Sequence, residues 1–370
     1  MESRRHYLTW VEIDRGAIEN NVRYFVKKTT AKVMAVVKAN GYGHDAVQTA
    51  KAALNAGATW CAVARVDEAL ELRQHGLTCP ILLLGLAPSA RISEMLTAQI
   101  SMAVWQQEHI TAIADVASRE GEQARLHLKV DTGMGRLGVQ PEQVPTYARY
   151  IVDNPDVIFE GLFTHYARAD ERDPAPSDEQ DIRFLQALSG LDEIGLRPAL
   201  VHAANSAAAL RRAQSEFDLV RVGISIYGLH PSKDAPLPVD FRAALSWKTQ
   251  LSQIKVLSPG HGVSYGHMYV TSGHERIGTL PIGYADGFRR IEGNQVLVAG
   301  QRAPVVGRVC MDQCMVQLDA IPDVKAGDEV VLIGQQGEER ISAEEVAERW
   351  GTINYEVTCG IGARVPRVFS

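Results

Sequence analysis

Cysteine is scarce in this 370-residue chain: five residues, at 61, 79, 310, 314 and 359, odd in number and without a C-x-x-C pair. That pattern excludes a disulfide framework and fits reduced thiols in the cytoplasm. No run of eighteen or more apolar residues is present, so a membrane span is not expected. The opening stretch Met1 to Trp10 carries Arg4 and Arg5 but no apolar segment of the kind that directs export. A surplus of positive charge is also missing. Against 44 Asp and Glu stand 38 Lys and Arg, and a net charge of −6 gives no general attraction for nucleic acid or anionic lipid. What remains is a globular composition, 46% hydrophobic and 22% charged, on a chain long enough for one large domain and one smaller one.

Short β-branched runs alternate with helix-like stretches over the first two-thirds, the pattern of βα units around a parallel sheet. Eight runs are found, near Val33–Val37, Trp60–Ala64, Ile81–Leu84, Ser101–Val104, Arg125–Val130, Ile158–Phe163, Ala199–His202 and Leu219–Val222. Eight such units predict a (β/α)8 TIM barrel over 1–245. From about Ser246 the rhythm changes to alternating segments, Trp247–Val256, Val296–Val298, Val305–Val309 and Glu329–Ile333, which predict a mainly antiparallel β domain over 246–370. The boundary is expected in the proline-rich Pro231–Pro238 or shortly after it, with the first ten or so residues able to pack with the β domain. Ser342, followed three residues later by Glu345, predicts a capping box at the start of a helix over Ala343–Trp350.

Polar residues cluster just after the barrel runs: Lys38, Asp131, His165, Asn205, Ser206 and Gly223. In a barrel these positions converge on one mouth, where chemistry is carried. Lys38 there is either an amine lying along a strand end with its head in water or one able to form a Schiff base. Arg221 falls inside an apolar run, where a guanidinium is costly unless it is paired or hydrogen-bonded. Ser206, Gly223 and Ile224 lie after the last two strands, the usual phosphate end of the fold, and the phenols Tyr42 and Tyr355 could add donors. Each reads equally as a cap, a turn or a packed tyrosine when taken alone.

Taken together, several blocks resemble the alanine racemase family, in its order. They are Val37-Lys38-Ala39-Asn40-Gly41-Tyr42-Gly43-His44, Lys129 to Gly138, Thr164-His165, His202 to Ala208, Arg221 to Gly228, Val263-Ser264-Tyr265-Gly266, Ile282 to Gly287 and Gly307 to Gln313. Gly41 and Asp45 depart from the usual residues of the first block. The resemblance implies an isomerase that interconverts L- and D-alanine with pyridoxal 5′-phosphate, the D-alanine supply from which peptidoglycan precursors are made. Lys38 would hold the cofactor, and Tyr42, Ser206, Gly223, Ile224 and Tyr355 its phosphate; Arg136, His165 and Asn205 would also line the cofactor. Arg221 would hydrogen-bond the pyridine nitrogen and, because arginine hardly ever gives up its proton, leave that nitrogen unprotonated.

Racemisation needs an acid/base group on each face of the α-carbon. By resemblance these are Lys38 for the D-substrate and Tyr265 for the L-substrate, the phenol being activated through His165 and Arg221. Arg136 and the Met311 backbone would hold the substrate carboxylate, with Lys129, where carbamylated, orienting Arg136. Asp170, Tyr284, Arg290, Arg308, Ile353 and Tyr355 would line a narrow access corridor. A head-to-tail homodimer is also implied, Tyr265 and Met311 of one subunit completing the barrel mouth of the other. Racemisation of serine or another small amino acid is the near alternative. A pyridoxal-phosphate decarboxylase would need other residues than Cys310-Met311-Asp312 and Tyr265-Gly266, and a single-domain cofactor carrier would lack the segment from 246. A metal-dependent hydrolase built on Asp131, His165 and His202 lacks a compact ligand motif, so no metal site is expected.

Overall fold

The computed structural model describes residues 7–212 and 217–370. The chain forms two units, one of Ala17–Arg242 and one that joins the segment ending at Gly16 to Ala243–Ser370. After β1 (Thr9–Ile13) come the strands of the first unit: β2 (Lys32–Val36), β3 (Trp60–Val63), β4 (Ile81–Leu83), β5 (Ser101–Val104), β6 (Ala124–Lys129), β7 (Val157–Phe163), β8 (Leu200–His202) and β9 (Leu219–Val222). These are the eight expected runs, and they pair in parallel in the order β8-β7-β6-β5-β4-β3-β2-β9. The barrel is drawn shut between β8 and β9 by Asp218 N–H to Val201 O, 3.0 Å, and Arg221 N–H to Ala204 O, 3.0 Å.

Helices cover the outside because their apolar residues recur on one stripe. In Gln107–Glu120 the buried set is His109, Ile110, Ile113, Ala114 and Ala117, and Gly121 at φ 67° ends the helix. The inside of the barrel is unusual for the fold, which commonly fills it with Val, Ile and Leu. Here Ser101, His127, Lys129, His202 and Arg221 are all buried.

The second unit contains β10 (Leu245–Gln250), β11 (Gln253–Leu257), β12 (Gly262–Val263), β13 (Tyr269–Val270), β14 (Glu275–Leu280), β15 (Gln295–Val298), β16 (Gln301–Val306), β17 (Cys314–Gln317), β18 (Glu329–Gln336), β19 (Glu339–Ile341) and β20 (Arg367–Phe369). Its main sheet runs β11-β14-β17-β16-β15-β18-β10-β1-β20, antiparallel except for the last pair. The long segment expected over Trp247–Val256 is two strands. Leu251 turns inward and bonds Asp328 and Gly327 through its backbone, which sends β10 toward β18 and β11 toward β14. The segment expected over Val305–Val309 also shifts, ending at Val306 where Gly307 takes φ 68°.

Helix Ala343–Trp350 forms as expected, with Ser342 Oγ accepting from Glu345 N–H at 3.1 Å. The reciprocal half of the expected capping box is replaced, since the Glu345 carboxylate is held by Arg302 at 2.5 Å and Arg349 at 2.6 Å. Ser342→Ala should lower stability by about 1 kcal/mol, measured as an earlier urea midpoint at unchanged native circular dichroism. An unchanged midpoint would mean that the two arginines secure this helix start without the hydroxyl.

Candidate active site

Lys38 follows β2 as expected, but it opens a left-handed turn in place of continuing a strand. Ala39, Asn40, Gly41 and Tyr42 all have positive φ, between 51° and 61°. For residues with a Cβ this conformation costs about 1–2 kcal/mol each, so something must hold it. Glu68 accepts from Ala39 N–H at 2.6 Å and from Ala64 N–H at 2.8 Å, while Asn40 Oδ1 accepts from Ala46 N–H at 3.0 Å. Both departures from the family pattern fit the turn. A Cβ on Gly41 would stand 3.0 Å from Thr49 Oγ1, and Asp45 caps the next helix by accepting from Gln48 N–H at 2.9 Å.

The turn delivers Tyr42 to the start of the segment after β9. A Cβ on Gly223 would be 2.5 Å from the Tyr42 hydroxyl oxygen, so only glycine fits there. Gly223 N–H donates to Ser206 Oγ at 2.9 Å, and Ile224 begins a short helical turn at the same place. Asn205 caps the helix Ser206–Arg211 through Ala208 N–H, 3.0 Å. Tyr42, Ser206, Gly223 and Ile224 are thereby gathered into a cradle of hydroxyl and backbone donors, a set that fits a phosphate.

Arg221 is 3% exposed. Its guanidinium donates to His202 Nδ1 at 2.9 Å, His165 Nδ1 at 3.2 Å, Thr164 O at 2.8 Å and Ala203 O at 3.0 Å. Nε–H and one Nη1 hydrogen have no acceptor among the described residues, which leaves donors available for an aromatic ring nitrogen. Burial pulls the Arg221 pKa down to about 10, still charged at neutral pH. Desolvation, then Arg221, then Lys129, Arg136 and Lys38 push His165 well below its ordinary range. Its ring is therefore neutral, with the proton on Nε2 because Nδ1 accepts from Arg221.

Arg136 is exposed on a loop whose start is tied down by Asp131, which accepts from Gly133, Met134 and Gly135 N–H at 3.0, 2.9 and 3.1 Å. Behind it lies Lys129, 5.2 Å from the Phe163 ring, its pKa lowered from 10.5 to about 7 by desolvation and then by Arg221 and Arg136. Sequence reasoning passed over Gln180. It reaches from the helix Ala175–Glu193 to donate to Thr132 Oγ1 and His165 O, at 3.0 and 3.1 Å, and so ties the two loops together. Asp131, His165 and His202, weighed above as metal ligands, are engaged with backbone amides or Arg221, and no metal-ligand cluster occurs among the described residues.

The remaining expected site residues lie elsewhere. Asp170 is in the barrel unit, its carbonyl accepting from Ser232 Oγ at 2.7 Å. The second unit carries Tyr265, Tyr284, Arg290, Arg308, Met311, Ile353 and Tyr355. There Tyr265, Tyr284, Arg290, Val309 and Cys310 line a cleft of about 350 Å³. Tyr265 is 69% exposed, set between Ser264 at φ 65° and Gly266 at φ 72°. Next to it the Met311 loop is fixed by backbone bonds, Tyr284 N–H to Cys310 O and Ala285 N–H to Met311 O, both 3.0 Å. That approach requires Gly283, since a Cβ would meet both carbonyl oxygens at 2.3 Å.

Two family models match the chain, "Alanine racemase, N-terminal domain" over residues 13–231 and "Alanine racemase, C-terminal domain" over 244–369. It is 46% identical to an alanine racemase of Symbiobacterium thermophilum over 98% of this chain and 97% of that one. To an alanine racemase of Geobacillus kaustophilus it is 47% identical, over 98% and 95%. Among solved structures, the alanine racemase of E. faecalis matches with a TM-score of 0.94 and 41% identity, covering 99% of each chain. That of Bacillus anthracis with bound L-Ala-P gives 0.93 and 44%, covering 98% and 95%.

The depressed Lys129 amine makes stability depend on pH. The unfolded chain takes up this proton below pH 10.5 and the folded one only below about 7, so this contribution is full above 10.5 and lost as pH falls toward 7. In bicarbonate-free buffer, the stability of Lys129→Met relative to wild type should therefore be greater at pH 7 than at pH 10. Denaturant titrations at the two values measure this, and equal differences would contradict it.

Proposed function

The chain belongs to the alanine racemase family, and on that footing we propose that it interconverts L- and D-alanine with pyridoxal 5′-phosphate, in the cytoplasm and as a head-to-tail homodimer. The observation that carries the reading is the Arg221–His165 bond beside Lys38 and the Ser206–Gly223–Tyr42 cradle. Those residues fit the cofactor: a phosphate cradle at one end, a cation with spare N–H groups for the ring, and a lysine for the aldehyde. When bound, the cofactor supplies a carbonyl that takes up the substrate amine and a ring that accepts electron density from the α-carbon.

Tyr42, Ser206, Gly223, Ile224 and Tyr355 are the phosphate-holding set of this proposal, and Asn205 fixes the helix that presents Ser206. Arg221 donates to the ring nitrogen without surrendering its proton. Lys38 Nζ takes or returns the α-proton on one face, and Tyr265 Oη does so on the other. His165, with its proton on Nε2, donates to Tyr265 Oη and stabilises the phenolate that proton removal requires. Arg136 and the Met311 N–H bind the substrate carboxylate; the Met311 carbonyl is already engaged by Ala285. Asp170, Tyr284, Arg290, Arg308 and Ile353 limit what reaches the site.

The dimer is supported by an apolar surface that a lone chain would leave wet. Tyr265 (69%), Ile353 (60%) and Met311 (53%) are all exposed on the unit that carries them. Size-exclusion with light scattering should give twice the chain mass. Lys129, with a pKa lowered to about 7 and so a large neutral fraction at neutral pH, is the kind of group that adds carbon dioxide to form a carbamate, which would then pair with Arg136. Labelled bicarbonate should produce a carbamate carbon resonance that Lys129→Ala removes.

Activity is tested by incubating the purified protein and pyridoxal phosphate with L-alanine. Optical rotation should decay to zero, and constant rotation would defeat the reading; L-serine in parallel gives the preference. In deuterated water, Tyr265→Phe should slow deuterium uptake from L-alanine by about 100-fold or more, while exchange from D-alanine through Lys38 persists. Equal slowing from both enantiomers would remove Tyr265 from the role of second base.

A further inference from the structure

Arg221 has no carboxylate among its hydrogen-bond partners in the described residues. A buried guanidinium in that position is costly unless a counter-charge is within reach. One is reached through the two histidines behind it. His202 Nε2 lies 2.9 Å from His127 Nδ1, and His127 Nε2 lies 3.1 Å from Glu160 Oε2. Glu160 also accepts from the Ser101 hydroxyl and stands 3.5 Å from Arg125.

Proton positions along this row are dictated from one end. Arginine can only donate, so His202 Nδ1 is an acceptor and a neutral His202 carries its proton on Nε2. That proton is donated to His127 Nδ1, which puts the His127 proton on Nε2, facing the carboxylate. A cationic ring at either place would set two N–H groups against each other. Every donor therefore points from Arg221 toward Glu160, and the row ends properly on an acceptor alone.

The backbone is built to make this contact. Leu126 pairs with Phe159 and His127 with Gly161, so Glu160 is the extra residue of a β-bulge between β6 and β7. Bulges are rare in parallel pairs and re-aim a side chain. Gly161 makes the room, since a Cβ there would be 2.3 Å from His127 Nδ1.

We propose that Glu160 is a positioning residue for the reaction, the counter-charge that keeps Arg221 protonated and oriented through the fixed proton order of His202 and His127. This rests on the reading of Arg221 as the partner of the cofactor ring. Burial opposes ionisation of Glu160, but hydrogen bonds from His127 and Ser101 outweigh it and leave its pKa below the ordinary carboxylate value. Desolvation, then Arg221, hold His202 well below the ordinary imidazole range. The charged and titratable groups facing Arg221 are His202 of β8, His165 and Tyr166 after β7, and Lys129 of β6; those facing Glu160 are Arg125 and His127 of β6.

Charges about a dozen ångströms apart in an interior of effective dielectric about 20 shift one another's pKa by about one unit. Glu160→Gln keeps the shape and an acceptor for His127 but removes the charge. In the holoenzyme it should lower the midpoint of the alkaline change in the cofactor's visible band by about one pH unit, tenfold in proton affinity. At alkaline pH kcat should fall while KM for L-alanine holds. Glu160→Asp, which keeps the charge, should stay with wild type. Nitrogen-15 spectra should show Nε2–H at both His127 and His202. An unmoved midpoint in folded Glu160→Gln, an equal shift in Glu160→Asp, or an Nδ1–H ring would overturn the proposal. The tautomers are also read in cofactor-free wild type, so a protein that fails to racemise L-alanine would defeat the functional reading while the relay is still decided.

Discussion

The structure turns on a guanidinium kept inside a β barrel. A hydrocarbon filling would pack the interior with less cost, and the chain gives up part of it to surround Arg221 with two imidazoles, two carbonyls and the Phe163 ring, 5.4 Å from the guanidinium carbon. Each neighbour is chosen by what a permanent donor needs, an acceptor lone pair or a π face. The consequence spreads outward. Burial first and the Arg221 charge second push His165, Lys129 and His202 toward their neutral forms, and the Arg221 donor fixes the His202 tautomer. One buried cation thus biases three groups around it in the same direction.

Strain is concentrated beside that charge. The left-handed turn after Lys38 is held by Glu68 and Asn40, and it places Tyr42 so close to the backbone at Gly223 that no side chain fits between them. A relaxed right-handed helix beginning at Lys38 would present other residues to the same space. The conformational cost is what a site accepts when its groups must be in position before a ligand arrives.

The barrel was legible because parallel strands covered on both faces read as unbroken apolar runs, and all eight runs became strands. Antiparallel segments were less so. Trp247–Val256 alternates smoothly in sequence, yet the inward turn at Leu251 divides it between different neighbours, a choice made by tertiary partners alone. The residues around Lys38, Arg221 and Tyr265 stood out through short motifs whose chemistry is local. Glu160 did not, since a glutamate in Ile158–Phe163 reads as an ordinary outward position until the bulge turns it inward. One signal was available: Arg125, His127 and Lys129 alternate with Leu126 and Leu128, which puts a polar row on one face of a strand expected to be buried on both.

The proposed pairing of Tyr265 with His165 rests on what each residue lacks in its own unit. Its own turn, bounded by Ser264 and Gly266 in left-handed conformations, lifts the ring clear of the sheet and offers it no hydrogen-bond partner among the described residues. His165 presents the complementary deficit: its Nδ1 is satisfied by Arg221, while its Nε2–H has no acceptor among the described residues. The barrel unit thus holds a donor without an acceptor and the β unit an oxygen without a donor, which is the complement that the proposed acid/base group calls for. If the proposed homodimer supplies that complement, assembly becomes a condition of the chemistry through the hydrogen bond to a single oxygen.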